Sequence, residues 1–254
     1  MRPLIRPGWS PGWDGLRAAD LVRDATGRFC SICERSLPQV AFAWHAEEGV
    51  LFEGSPSEAD WPHLLALCHN CAGATTIWLA APAGRMALPH RDLTFALGSP
   101  SAFSYEIIEG EEAERLGADA ERGARRVHVR ANTPLAAQTV TAFALNTPVR
   151  GLHAEAPSEP VADQATIDFW DPRLELRTAA WHQAEAGRAR LEKAPGEARE
   201  EVVEQLKVLA EYTGFWSVWA TVLGQQLEDP ALVGAVLSSQ AGAFPGTRDE
   251  ALWG

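Results

Sequence analysis

The sequence predicts an α+β chain, and two observations carry that prediction. Two Cys-x-x-Cys turns frame a first half rich in short apolar segments, and apolar stripes at helical spacing fill the last third. A third observation sets the scale. The 254 residues are 46% hydrophobic and include ten Trp and nine Phe, enough apolar surface for a core and too much for a chain disordered throughout. Two units are read: residues 1–150, a cysteine-turn module with flanking strands and a helix, and residues 151–254, a linker and a helical region.

Each element has its signal. Residues 13–25 predict a short helix with Leu16, Ala19 and Val22 on one side and Gly27 closing it. Residues 40–52 predict a hairpin turning at Gly49, and Leu64, Leu65 and Leu67 lead into the second cysteine turn. The Pro- and Gly-bearing stretch 80–89 predicts loop, whereas 103–108 and 126–129 predict a strand pair. Between those strands, 109–125 reads as a solvated loop or exposed helix. Thr133 suits a helix cap and Pro134 the first helical position. Ala136, Val140, Phe143 and Ala144 then share a face, with an end near Asn146. Residues 151–166 have linker composition. Beyond them Asp171-Pro172 repeats the cap signal, and three stripes predict a bundle: Leu174, Trp181, Ala184 and Leu191; Val202, Leu206 and Leu209, stopped by Gly214; and Phe215, Trp219, Val222 and Leu223. Leu232, Val233, Val236 and Leu237 predict a short fourth helix.

Charge narrows the function classes. The net charge is −12, of which residues 101–254 carry −10, so the chain is a poor unaided binder of nucleic acid. No apolar run approaches the ~18 residues that span a bilayer. The first residues lack a signal-peptide pattern, so a cytoplasmic protein without membrane association is predicted.

The chemistry-bearing pattern is Cys30-x-x-Cys33 followed, after 34 intervening residues, by Cys68-x-x-Cys71, and the chain has no other cysteine. Each turn lets two thiolates converge on one ion, and two turns close a tetrahedral site with Zn–S of about 2.3 Å. Two disulfides or a redox dithiol are the competing readings. A cytoplasmic chain disfavours the first, and the second leaves one cysteine pair unexplained. The cysteines are therefore read as ligands of a structural Zn²⁺, a closed site that does no chemistry itself.

Around these turns the sequence resembles the zinc-knuckle branch of the HNH endonucleases. The resemblance is carried by Phe29-Cys30-Ser31-Ile32-Cys33-Glu34-Arg35, His45, and Trp61-Pro62-His63-Leu64-Leu65-Ala66-Leu67-Cys68-His69-Asn70-Cys71. Leu88-Pro89-His90-Arg91-Asp92-Leu93-Thr94-Phe95 and Ala137-Gln138-Thr139-Val140-Thr141-Ala142-Phe143-Ala144-Leu145-Asn146 are similar to stretches in HNH proteins of bacterial antiphage systems, the Septu- and retron-associated ones. The resemblance implies a ββα-metal-like unit between the knuckles. It also implies a carboxylate–His pair ending the first strand, an Asn that orients the His, and a further metal ligand after the last cysteine. His45 takes the place of the base that activates water, and His63 that of the orienting Asn, so these two are the candidate catalytic residues. Trp44 replaces the carboxylate and Ala72 the last ligand, and neither can hold a hard dication.

Two functions follow from the resemblance. One is an HNH-like zinc protein without nuclease chemistry, a binding or regulatory component of a defence-type assembly with an ATPase or another protein as partner and only weak DNA binding alone. The other is an active HNH endonuclease using a catalytic divalent metal held by rearranged ligands, for which Glu47, Glu48, His63 and His69 are the candidates. A zinc-ribbon adaptor unrelated to nucleases is the third reading. Five carboxylates between Glu47 and Asp60 oppose DNA at that loop in every case.

Overall fold

The computed structural model describes residues 8–37, 41–77, 102–110, 125–146, 149–151, 168–170, 172–226 and 235–237. Helix α1 (Ala18–Thr26) precedes strands β1 (Phe42–His45) and β2 (Val50–Phe52), a 3-10 turn at Trp61–His63, strand β3 (Leu64–Leu67) and helix α2 (His69–Ile77). Strands β4 (Phe103–Glu109) and β5 (Arg125–Ala131), helix α3 (Pro134–Ala142), and strands β6 (Val149–Gly151) and β7 (Asp168–Trp170) follow. Helices α4 (Arg173–Lys193), α5 (Gly196–Thr213) and α6 (Trp216–Gln226) come last. The architecture is mixed α+β, with small antiparallel sheets and several helices.

The first sheet has the order β2-β1-β3. Its hairpin turns at Gly49, whose φ of +74° suits glycine, and the Gly49 N–H donates to the His45 carbonyl at 2.8 Å. The register sets Trp44 opposite Leu51 on one side and Leu65 on the other, and His45 opposite Val50 and Leu64. β3 is buried along its length, which accounts for an unbroken apolar run rather than an alternating one.

Among the described residues strands β4 and β5 pair alone, and a two-stranded sheet leaves β5 with a free edge. Side chains complete it. The Val127 N–H donates to Thr178 Oγ1 and its carbonyl accepts from Arg177, while the Asn146 amide both accepts from and donates to the backbone of Val129. The first turns of α4 thus stand where a third strand would otherwise pair.

One buried cluster draws on α1, both cysteine turns, β1, β3, β5, α3 and the three long helices, with Trp44, Trp216 and Trp219 among its largest fully buried side chains. α4 packs on both α5 and α6. A Cβ on Gly187 of α4 would lie 2.5 Å from a Leu206 methyl of α5, so a larger residue there would have to displace the buried Leu206 side chain. The stripe residues Leu174, Trp181, Ala184, Leu191, Leu206, Phe215, Trp219, Val222 and Leu223 are all buried.

Several local expectations are corrected. Leu16 precedes α1 and is exposed, and Ala18 takes its place beside Ala19 and Val22. α3 stops at Ala142, four residues before Asn146, where Ala144 turns left-handed at φ +44°. Pro172 itself caps α4, without a side-chain bond. β6 and β7 pair across the linker-like stretch, a long-range pairing that local composition does not signal. The loops expected at 80–89 and within 111–124, the motif 88–95 and most of 151–166 lie outside the described residues, and of the fourth stripe only 235–237 is described.

Candidate metal centre

The first cysteine turn is a tight hairpin. A Phe29–Ser36 bridge closes it, the Cys30 N–H donates to the Arg35 carbonyl at 2.8 Å, and the Glu34 N–H donates to the Cys30 carbonyl at 2.9 Å. The second turn caps β3 and opens α2, whose first turn carries Cys71. β3 also ties the two turns together. The Ser31 N–H donates to the Ala66 carbonyl at 2.7 Å, and the Ala66 N–H donates to Ser31 Oγ at 3.2 Å. Arg35 adds a bond from its guanidinium to Asn70 Oδ1 at 3.3 Å.

These ties bring Cys30, Cys33, Cys68 and Cys71 together, all buried, with sulfurs within 4.8 Å of one another. Tetrahedral ligands at metal–sulfur bonds of about 2.3 Å stand about 3.8 Å apart. The Cys33–Cys68 separation is 3.6 Å, close to that value and far from a disulfide bond of about 2.05 Å. None of the four forms a disulfide. Four soft donors without an open position suit a structural metal such as zinc.

Electrostatics inside the quartet are uneven. Hydrogen bonds from Cys30, Cys33 and Cys71, aided by the Arg173 charge, hold the Cys68 thiol well below its ordinary range. Burial pushes the Cys30 and Cys71 thiols well up. A dication removes that disparity, because coordination deprotonates every ligand.

Two long-range contacts reach the quartet from the C-terminal helices. Arg173, 1% exposed at the start of α4, donates from Nη1 to Cys71 Sγ at 3.2 Å and from Nη2 to the Phe143 carbonyl at 2.9 Å. Glu34, 1% exposed, follows Cys33 at φ +66°. Its carboxylate accepts from the Ser217 N–H at 3.0 Å and from the Ser217 hydroxyl, at the first turn of α6 where the helix dipole favours an anion. Its carbonyl accepts from the Phe215 N–H at 3.0 Å. The Gly214 stop has a second reason here: a Cβ at that position, already at φ +73°, would lie 2.6 Å from the Glu34 carbonyl oxygen. Sequence reasoning missed Arg173, Arg177, Glu34 and Ser217, since nothing local marks a charged residue as one that tertiary contacts bury.

His45, His63, Glu47 and Glu48 occupy the opposite end of the sheet, whereas His69 lies at the cysteine end. His45 is buried, accepts from the Glu48 N–H through Nδ1 at 3.2 Å, and faces His63 with ring centroids 5.4 Å apart. His63 Nδ1 stands 3.2 Å from Glu47 Oε1. Ser57 holds the Asp60 carboxyl below the usual range through its hydroxyl and its N–H. His69 is exposed beside Phe42. Among the described residues, only the cysteine quartet brings three or more ligand atoms together, so His45, His63, His69, Glu47 and Glu48 form no such group. Trp44 and Ala72 are core residues, 1% and 3% exposed, and the Trp44 ring meets Phe143 edge-on at 5.9 Å.

Fold and site together define a mixed α+β protein built around a four-cysteine centre fit for a structural metal. Comparison with protein-family models, with curated proteins and with solved structures finds no match to this chain. No helix among the described residues is long and apolar enough to cross a membrane.

Proposed function

We propose that the chain is an HNH-like, zinc-held protein without nuclease chemistry, serving as a binding or regulatory component of a bacterial defence-type assembly with an ATPase or another protein as its partner. The burial of Trp44 and Ala72 carries this reading. In the pattern that the sequence resembles, those positions hold oxygen or imidazole ligands. Here both side chains are locked in the core, where neither can coordinate a cation that would offset the charge developing on a phosphodiester. A β1–β2 hairpin ending its first strand at His45, with α2 behind the sheet, supports the resemblance without making the site catalytic. Four thiolates favour zinc over harder ions as the resident metal.

One observation favours the active-enzyme reading: His45, His63 and Glu47 are neighbours at one sheet end. Plasmid nicking across Mg²⁺, Mn²⁺ and Ni²⁺, with metal content measured on the same sample, decides between them. The expected result is one zinc per chain, no nicking, and DNA binding that is weak alone. Metal-dependent nicking that disappears in His45→Ala overturns the non-catalytic reading.

A further inference from the structure

We propose that Arg173 is a positioning residue of the metal centre, an outer hydrogen-bond donor to the metal-bound Cys71 thiolate that binds the first turn of α4 to the site. The proposal rests on the reading of the quartet as a metal site and adds a determinant 102 residues from the nearest ligand.

Three observations carry it. First, the geometry is that of a bond: Nη1 lies 3.2 Å from Cys71 Sγ, with both groups buried. Second, the guanidinium is fixed from its other side. Nη2 donates to the Phe143 carbonyl at 2.9 Å and reaches the Ala144 carbonyl at 3.5 Å, in the left-handed turn that ends α3. A planar fork can serve a sulfur and a carbonyl together, whereas a lysine ammonium on a flexible stem cannot hold that geometry. Third, the charges complement each other. A dication with four thiolates carries a net charge of −2 in a buried site, and a guanidinium in contact offsets part of it.

The chemical consequence is specific. An N–H donated to a coordinated thiolate draws electron density from sulfur, lowering its nucleophilicity and fixing its orientation on the ion. Cys71 is therefore shielded from electrophiles relative to a thiolate without that donor. Metal and helix hold one another: the ion keeps Cys71 as the anion that Arg173 binds, and Arg173 ties the first turn of α4 to Cys71 and to the turn that ends α3.

The experiment uses the full chain loaded with Co²⁺, comparing the unmutated protein with Arg173→Lys, Arg173→Gln and the control Arg177→Lys. Arg177 lies one turn further along α4 and is equally buried, but it donates to the carbonyls of Val127 and Leu145 and to Asn146. Both Arg173 variants should shift the thiolate-to-cobalt charge-transfer band to lower energy and weaken zinc affinity by about 10–100-fold, the usual cost of losing an outer-shell partner. Arg177→Lys should leave band and affinity unchanged even where it lowers the melting temperature. Cadmium-113 NMR of the unmutated chain tests the contact without any variant, since an N–H···S bond transmits scalar coupling from one arginine proton to the metal. Tight metal binding with unchanged band and affinity in both Arg173 variants, or Cd²⁺ loading without such coupling, overturns the role of Arg173 and leaves the metal site standing. A chain that binds no metal overturns the site itself, and the proposal with it.

Discussion

The two ends of the β1–β3 pair differ in everything but strand pairing. At one end His45 closes β1 and His63 precedes β3; at the other Cys68 follows β3, about 15 Å away at the usual rise per residue. The cysteine end is dry, its four donors converge, and buried groups from α4 and α6 are hydrogen-bonded onto it. The histidine end is partly wet: His63 and Glu47 have side chains 34% and 57% exposed, and among the described residues their donors meet no third ligand. Convergence, rather than the presence of ligating residue types, separates a metal site from a pair of neighbouring histidines.

Substitutions at the two ends should diverge accordingly. The largest effect is expected from Cys71→Ser. Losing a structural zinc site is worth on the order of 10 kcal/mol of apparent folding free energy. Because both halves share one core, circular dichroism should show the C-terminal helices melting together with the cysteine module, and zinc content should fall. Independent melting of the helices would show that the ends are not coupled.

Trp44→Glu comes next. Placing a carboxylate where the pattern of the resemblance wants one removes a 1%-exposed indole and buries a charge, which should cost at least about 3–5 kcal/mol in denaturant unfolding. A stable variant that gains a second metal would mean that the histidine end needs only one donor more.

Glu34→Gln removes a charge but keeps the shape. The loss of a carboxylate from the first turn of α6 should cost about 1–2 kcal/mol, read as a lower denaturant midpoint with an unchanged slope. A pH effect of similar size is expected from His128 on β5. Burial, aided by the Arg177 charge and opposed by Glu106, pushes its pKa down to about 4. Between about 4 and 6.5 the unfolded chain therefore binds the extra proton. Stability is full above 6.5 and declines as pH falls toward 4, by about 1–2 kcal/mol after solvent screening. His128→Phe should flatten that slope in an unfolding series across pH. The smallest effect belongs to His63→Ala, which removes a partly exposed polar contact with Glu47 worth less than about 1 kcal/mol. A larger loss would give the histidine end a structural weight that its exposure denies.

Much of the fold was legible residue by residue. The Gly49 turn, the β4–β5 pair, the Thr133 cap with its bond from the Ala136 N–H, and the bundle stripes all follow from local chemistry or period. The candidate metal site was equally legible, because each half of it is a four-residue motif. The local pattern was silent where a neighbour distant in sequence decides the outcome. Leu64–Leu67 is a strand because β1 pairs with it, and Val149–Gly151 because β7 returns to it.

The sequence by itself determined the four-cysteine quartet, the mixed α+β class and the helical last third, since ligand spacing, turn chemistry and apolar period act over a few residues. Tertiary structure alone decided what those parts do to one another. Glu34, Arg173 and Arg177 carry charges that a local reading places in water, yet each is buried. The free energy of burying a charge depends on partners that only folding assembles: the first turn of α6 for Glu34, a thiolate and a turn carbonyl for Arg173, and the strand and turn carbonyls beside β5 for Arg177.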